Sequence, residues 1–125
     1  MHAERARKKQ GFVELKKDLN LENALTLKRL LEEHFKTVKS VSFYAEKMNV
    51  SPKTLNQTTL KIFGKSPKSI IDERVILECK RLLVHSNMSI KEIAFHLGFE
   101  EPTNFNKYFK KHLSTTPAHF REKYR

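Results

Sequence analysis

Residues 40–67, SVSFYAEKMNVSPKTLNQTTLKIFGKSP, and residues 89–117, SIKEIAFHLGFEEPTNFNKYFKKHLSTTP, are two writings of one pattern. Ser40 matches Ser89, Ala45 matches Ala94, Asn49 matches Gly98 and Val50 matches Phe99. One residue inserted in the second turn shifts the register, after which Pro52 matches Pro102, Leu55 matches Phe105, Lys61 matches Lys111 and Pro67 matches Pro117. Each match has a physical reason. A small alanine lets two helices approach, Asn or Gly tolerates a left-handed turn, proline presets the first helical residue, and Leu or Phe pins the second helix to a core. A short helix, a tight turn and a second helix make the helix-turn-helix outline. Its duplication is a stronger signal than either copy alone.

The flanking residues extend this outline. Ser40 is placed to cap a short helix running to Met48, with Asn49 at its left-handed end. Ser51 and Pro52 restart a helix as N-cap and first helical residue. In the second copy Ser89 and Glu92 form a capping box, and Gly98 takes the turn. Between the copies, Ile70, Ile71, Val75, Leu77, Cys79, Leu82, Leu83 and Val84 run at helical spacing from Pro67 to His85, a rod of about 27 Å. Upstream, Leu21, Leu25, Leu27, Leu30, Leu31, Phe35 and Val38 mark one face of a helix starting at Asn20, with Lys28, Glu32, Glu33 and Lys39 largely opposite. Residues 1–19 are charged and weakly periodic and read as a linker or frayed helix from an upstream domain. The expected fold is all-α: two helix-turn-helix subdomains joined by a central linker helix, about seven helices in all. The expected boundaries are a first lobe at 20–66, the linker helix at 67–87 and a second lobe at 88–125.

Charge narrows the partner. The chain has 25 Lys+Arg against 14 Asp+Glu, a net +11 in 125 residues, which suits a polyanion. The distribution is more informative than the sum. From Ser51 to Ile71 there are four lysines (Lys53, Lys61, Lys65, Lys68) and no acid, and from Pro102 to Phe120 three (Lys107, Lys110, Lys111) and no acid. Both acid-free windows fall on the second helix of a pair. The single Cys79 excludes an internal disulfide and suits a reducing compartment. No apolar run is long enough to span a bilayer, and MHAERARKKQ lacks the apolar stretch of a signal peptide, so no membrane association and a cytoplasmic location are expected.

The stretch from Ser89 to Arg121, SIKEIAFHLGFEEPTNFNKYFKKHLSTTPAHFR, resembles the C-terminal signature of the AraC/XylS family of transcription regulators. Gly98-Phe99, Phe105, Lys107, Phe109-Lys110-Lys111, Thr116-Pro117 and Phe120-Arg121 carry the likeness, which extends more loosely from about residue 20 to the end. Three positions depart from it: Ser114 stands where the family usually has glycine, Thr59 where many members have phenylalanine, and Asn104 at a variable site. The resemblance implies sequence-specific binding of double-stranded DNA, with two recognition helices in successive major-groove segments. It also implies contact with RNA polymerase and control through a sensor or receiver domain, which the charged N-terminal stretch places upstream in the full-length protein; with no evident dimerisation helix, the isolated domain is expected to be monomeric. By the same resemblance the DNA-contacting candidates are Lys53, Asn56, Gln57 and Lys61 on the first recognition helix, and Thr103, Asn104, Lys107 and Lys111 on the second. Asn and Gln can bond adenine bidentately, and lysine suits guanine or phosphate.

Other chemistries find less support. Ser51 and Ser89 read as caps, and Phe99, Phe105 and Phe109 as core rather than a base-stacking platform. Cys79 falls on the apolar side of its helix, as a small buried hydrophobe does. The histidines (His2, His34, His85, His96, His112, His119) form no i, i+4 pair, so no metal site and no catalytic base stand out. No enzyme activity and no cofactor are expected. The competing reading is a protein-interaction or nonspecific nucleic-acid-binding domain that keeps the fold without reading bases.

Overall fold

A computed structural model describes the backbone of residues 2–125 and the side chains from residue 10 onward. Among the described residues the regular structure is helical throughout: α1 (His2–His34), α2 (Val41–Lys47), α3 (Pro52–Phe63), α4 (Pro67–His85), α5 (Ile90–His96), α6 (Pro102–Leu113) and α7 (Pro117–Tyr124). Two compact units divide the chain, residues 1–32 with 40–67 and residues 33–39 with 68–125. All of α4 but Pro67 falls within the second unit.

In the first unit α1 buries Ala24, Leu27, Leu30 and Leu31, at the three- and four-residue steps of one helix face. Leu21 and Leu25, expected on that face, are exposed. They lie roughly a third of a turn away from it, and alanine at position 24 takes the buried place instead. The N-terminal charged stretch is helical and continuous with α1. At the other end α1 stops at His34, short of Val38, because the Thr37 and Val38 amides both donate to the His34 carbonyl, at 3.0 and 2.9 Å, and close the chain into a turn. Tyr44 and Ala45 of α2 and Leu55, Thr58 and Thr59 of α3 are buried in the same unit. Thr58 donates to Asn20 Oδ1 at 3.2 Å and Thr59 to the Asn56 carbonyl at 3.3 Å, so both hydroxyls enter the core with partners.

The second unit is built around α4, whose Ile70, Ile71, Val75, Cys79, Leu82 and Leu83 are buried with Ile93, Ala94 and Leu97 of α5 and Phe105 and Phe109 of α6. Each such Ile, Val, Leu or Phe side chain contributes roughly 1.5–3 kcal/mol on leaving water. Phe99 stands 5.3 Å from Phe105 and 5.2 Å from Tyr108, and Phe120 of α7 meets Phe109 edge-on at 5.5 Å. Arg121 closes the C-terminal end of α4: its Nε donates to the Leu83 carbonyl at 2.8 Å and its terminal nitrogen to Leu82 at 3.3 Å. A cation at a helix C-terminus complements the last carbonyls, although that of Leu82 also accepts from the Ser86 amide at 3.1 Å. The 33–39 segment belongs here too. Lys39 donates to the Leu97 carbonyl and lies 4.4 Å over the Phe99 ring, where burial lowers its pKa.

Candidate nucleic-acid interface

The duplicated pattern produces duplicated geometry. Helices α2 and α5 are both seven residues long, and α3 and α6 both twelve. In the first copy the Val50 amide reaches back to the Ala45 carbonyl at 3.0 Å and Asn49 to Glu46 at 3.0 Å. In the second, Phe99 reaches Ala94 at 2.9 Å and Gly98 reaches Phe95 at 3.1 Å. Both are Schellman ends, which need a left-handed residue at the turn. Asn49 and Gly98 supply it, with φ of 56° and 80°. The following helices also end alike, in left-handed Gly64 and Ser114. Ser114, the departure from the family pattern, thus holds a glycine conformation with a side chain attached.

The caps differ in detail from the expectation. Ser51 accepts from the Thr54 amide at 3.1 Å, and Ser89 with Glu92 makes the full capping box. Ser40 makes no side-chain cap; its hydroxyl instead pairs with that of Ser42 at 2.7 Å. The N-cap of α6 is Glu101, which caps nothing with its side chain but accepts from the Thr103 hydroxyl at 3.3 Å. The two helix starts are therefore electrically unlike: α3 begins at Ser51-Pro52 without an acid, whereas Glu100 and Glu101 stand directly before α6.

Buried Leu55, Thr58 and Thr59 set the inner face of α3, and buried Phe105 and Phe109 that of α6. Lys53, Asn56, Gln57 and Lys61 are all exposed on α3, as are Thr103, Asn104, Lys107 and Lys111 on α6. Each helix so gathers its four candidates outside its core stripe. Lys53, Gln57 and Lys61 recur at four-residue steps, as do Thr103, Lys107 and Lys111, so each trio forms one row. Asn56 and Asn104 flank those rows. The geometry adds Lys110, Asn106 and Thr54. Lys110 is exposed beside Lys111, and the repeat sets Asn106 opposite Asn56 and Thr54 opposite Asn104. Applying the register match to every outer position would have found them. Leu60, the counterpart of Lys110, is 49% exposed. Phe99, Phe105 and Phe109 pack ring against ring, Phe105 and Phe109 fully buried, and no group of three metal-ligating side chains occurs among the described residues. No helix among them is long and apolar enough to cross a membrane.

These features define a tandem helix-turn-helix domain, and comparison with known proteins agrees. A profile of the helix-turn-helix domain family matches residues 44–123. The transcriptional activator RhaS of Escherichia coli O157:H7 is 27% identical over 107 residues, covering 82% of this chain and 38% of RhaS. The transcriptional regulator ExsA of Pseudomonas aeruginosa is 28% identical over 96 residues, 77% of this chain and 34% of ExsA. The chain thus spans well under half the length of either protein. Among solved structures, the DNA-binding domain of the global transcriptional factor AdpA, in complex with a target DNA, superposes with a TM-score of 0.71 at 27% identity, over 82% of this chain and 92% of that one. The C-terminal domain of the response regulator yesN from Fusobacterium nucleatum gives a TM-score of 0.69 at 27% identity, over 76% and 93%.

The chain belongs to the AraC/XylS family, as a DNA-binding domain of its transcription regulators. The curated relatives it matches are named as transcription regulators.

Proposed function

We propose that this domain regulates transcription by reading a specific double-stranded DNA sequence through α3 and α6, each entering a major-groove segment. The observation that carries the reading is the equivalence of the two helices. Two twelve-residue helices follow two equivalent Schellman turns, and each presents an exposed, acid-free face of lysine, amide and hydroxyl groups. Asn56 and Gln57 on α3 and Asn104 on α6 suit adenine edges, while Lys53, Lys61, Lys107, Lys111 and Thr103 suit guanine or phosphate. The AdpA domain, of the same fold, was captured on its target DNA, which supports a duplex as the partner. Within the full-length protein we assign this domain a cytoplasmic location, a contact with RNA polymerase and an upstream sensor or receiver domain. The isolated domain we take to be monomeric.

Selection of random duplexes on the purified chain tests the reading. The expected product is an asymmetric site with two short blocks about one helical turn apart, bound with steep salt dependence. Gln57→Ala and Asn104→Ala should each relax one block, at a cost of roughly 1–3 kcal/mol in discrimination. Absence of any enriched sequence, with binding indifferent to these substitutions, would overturn base readout and favour a nonspecific or protein-binding role.

A further inference from the structure

An open cleft of about 630 Å³ runs beside α3 in the first unit. One wall is Lys16, Asn20 and Asn23 of α1, and the other is Thr54, Gln57 and Lys61 of α3. Leu19 and Leu60 also line it, and no acid does. The acids of this part of α1, Glu14, Asp18 and Glu22, stand two or six residues from Lys16 and so on the far side of the helix. In the sequence, helical steps back from Lys16 lead through Phe12 to Lys9, Lys8 and Arg5, again without an acid. Asn20 has its side-chain oxygen engaged by Thr58 at 3.2 Å, which leaves its amide hydrogens for an acceptor.

We infer that the α1 wall of this cleft is a further DNA-contacting element, binding the phosphate backbone that borders the groove occupied by α3. This rests on the reading of α3 as a recognition helix. A helix with side chains is about 10 Å across and the major groove about 12 Å wide, so a helix lying in it has a phosphate strand along each side. A second element alongside its outer face meets one of those strands. Lys16 then pairs with a phosphate, and the amide groups of Asn20 and Asn23 donate to phosphate or sugar oxygens. A cleft of cations and amide donors without a carboxylate suits this polyanion better than an apolar protein segment.

The test compares Lys16→Gln with Lys17→Gln, an equal change of charge one residue on and outside the cleft, on two duplexes. One duplex is the site selected on this chain, and the other is a mixed-sequence duplex of the same length. Both lysines are exposed, and helicity by circular dichroism checks that both variants fold. Lys16→Gln should weaken binding to both duplexes by about five- to tenfold at 0.1 M salt and reduce the slope of log affinity against log salt by about 0.9. Lys17→Gln should leave the slope unchanged. Equal slopes for the two variants overturn the inference and return the cleft to a protein-docking role. Failure of Gln57→Ala to change the selected sequence overturns base readout by α3 separately, whatever the Lys16 slope, and failure to bind either duplex overturns both readings.

Discussion

The Tyr108 phenol donates to the Asp72 carboxylate at 2.6 Å, 36 residues away along the chain, and fixes α6 to α4. Asp72 is only 7% exposed, and Lys68 and His112 each approach its other oxygen at 3.6 Å. A buried carboxylate that loses a donor costs about 1–3 kcal/mol. Tyr108→Phe should lower the stability of the second unit by that amount, read by urea denaturation. Burial first, and then the bond to Asp72, push the Tyr108 pKa well above its ordinary value. A raised folded value means that stability is intact below the unfolded phenol pKa of about 10 and is lost as pH rises beyond it. Tyr108→Phe should therefore flatten the alkaline loss of stability, leaving the part due to Tyr44, which burial raises to about 12. An alkaline slope identical in the variant would refute the role given to this hydroxyl.

Gly98 and Asn49 occupy matched turns but should respond differently to substitution. A β-carbon at Gly98 would stand 2.7 Å from the Lys36 carbonyl oxygen, at a φ of 80°. Gly98→Ala combines left-handed strain with a backbone clash and should cost about 2–4 kcal/mol. Asn49 already carries a side chain at φ 56°, so Asn49→Gly should change stability by less than about 1 kcal/mol. Ser114→Gly, at φ 59°, should be neutral or stabilise by up to about 1 kcal/mol. Thermal melts of the three variants give the order, and a Gly98→Ala protein as stable as the parent contradicts the close approach to Lys36.

Acid sensitivity should concentrate at Glu78. Its side chain is 5% accessible, accepts from Arg81 Nε at 3.0 Å and from a second Arg81 nitrogen, and has Arg74 at 3.6 Å. The Arg81 hydrogen bond chiefly lowers its pKa, against the effect of burial. A depressed folded value gives stability that is present above the unfolded carboxyl pKa of about 4.3 and lost as pH falls through the folded one. Glu78→Gln should cost about 1–3 kcal/mol at neutral pH and show a shallower loss between neutral pH and acid. Parallel pH profiles for parent and variant would assign the acid response elsewhere.

Cys79 should be chemically silent while the domain is folded. It is fully buried in α4, and burial raises its thiol to about 12, so the reactive thiolate is scarce at neutral pH. A disulfide reagent such as dithiobis(nitrobenzoate) should label it only at the rate of unfolding, and at once in denaturant. Rapid stoichiometric labelling of the native chain would show an accessible thiol.

Much of this architecture was legible in the residues because its signals are local. The paired Ala, Asn or Gly, and Pro positions, with the caps Ser51 and Ser89, encode close approaches, left-handed turns and helix starts within a few residues. They fixed the helix order, the turn types at Asn49 and Gly98, the start of α4 at Pro67 and the exposure of all eight candidate contact residues. Where an apolar residue was available to more than one face, the chain alone did not decide. Spacing alone puts Leu21 and Leu25 in the core, yet Ala24 is buried in their stead, because which face of α1 is covered depends on elements distant in the chain, as the bond between Asn20 and Thr58 shows.

The sequence by itself determined the class of fold, the duplication and the chemistry of the two outer helix faces, since period, cap and charge are written at short range. Only the tertiary structure decided that Lys39 would bind the Leu97 carbonyl, that Tyr108 would meet Asp72, and that Lys16 of α1 would share a cleft with Gln57 and Lys61 of α3. Those partners lie tens of residues apart, and nothing in a local pattern specifies which buried polar groups will find each other once the helices pack.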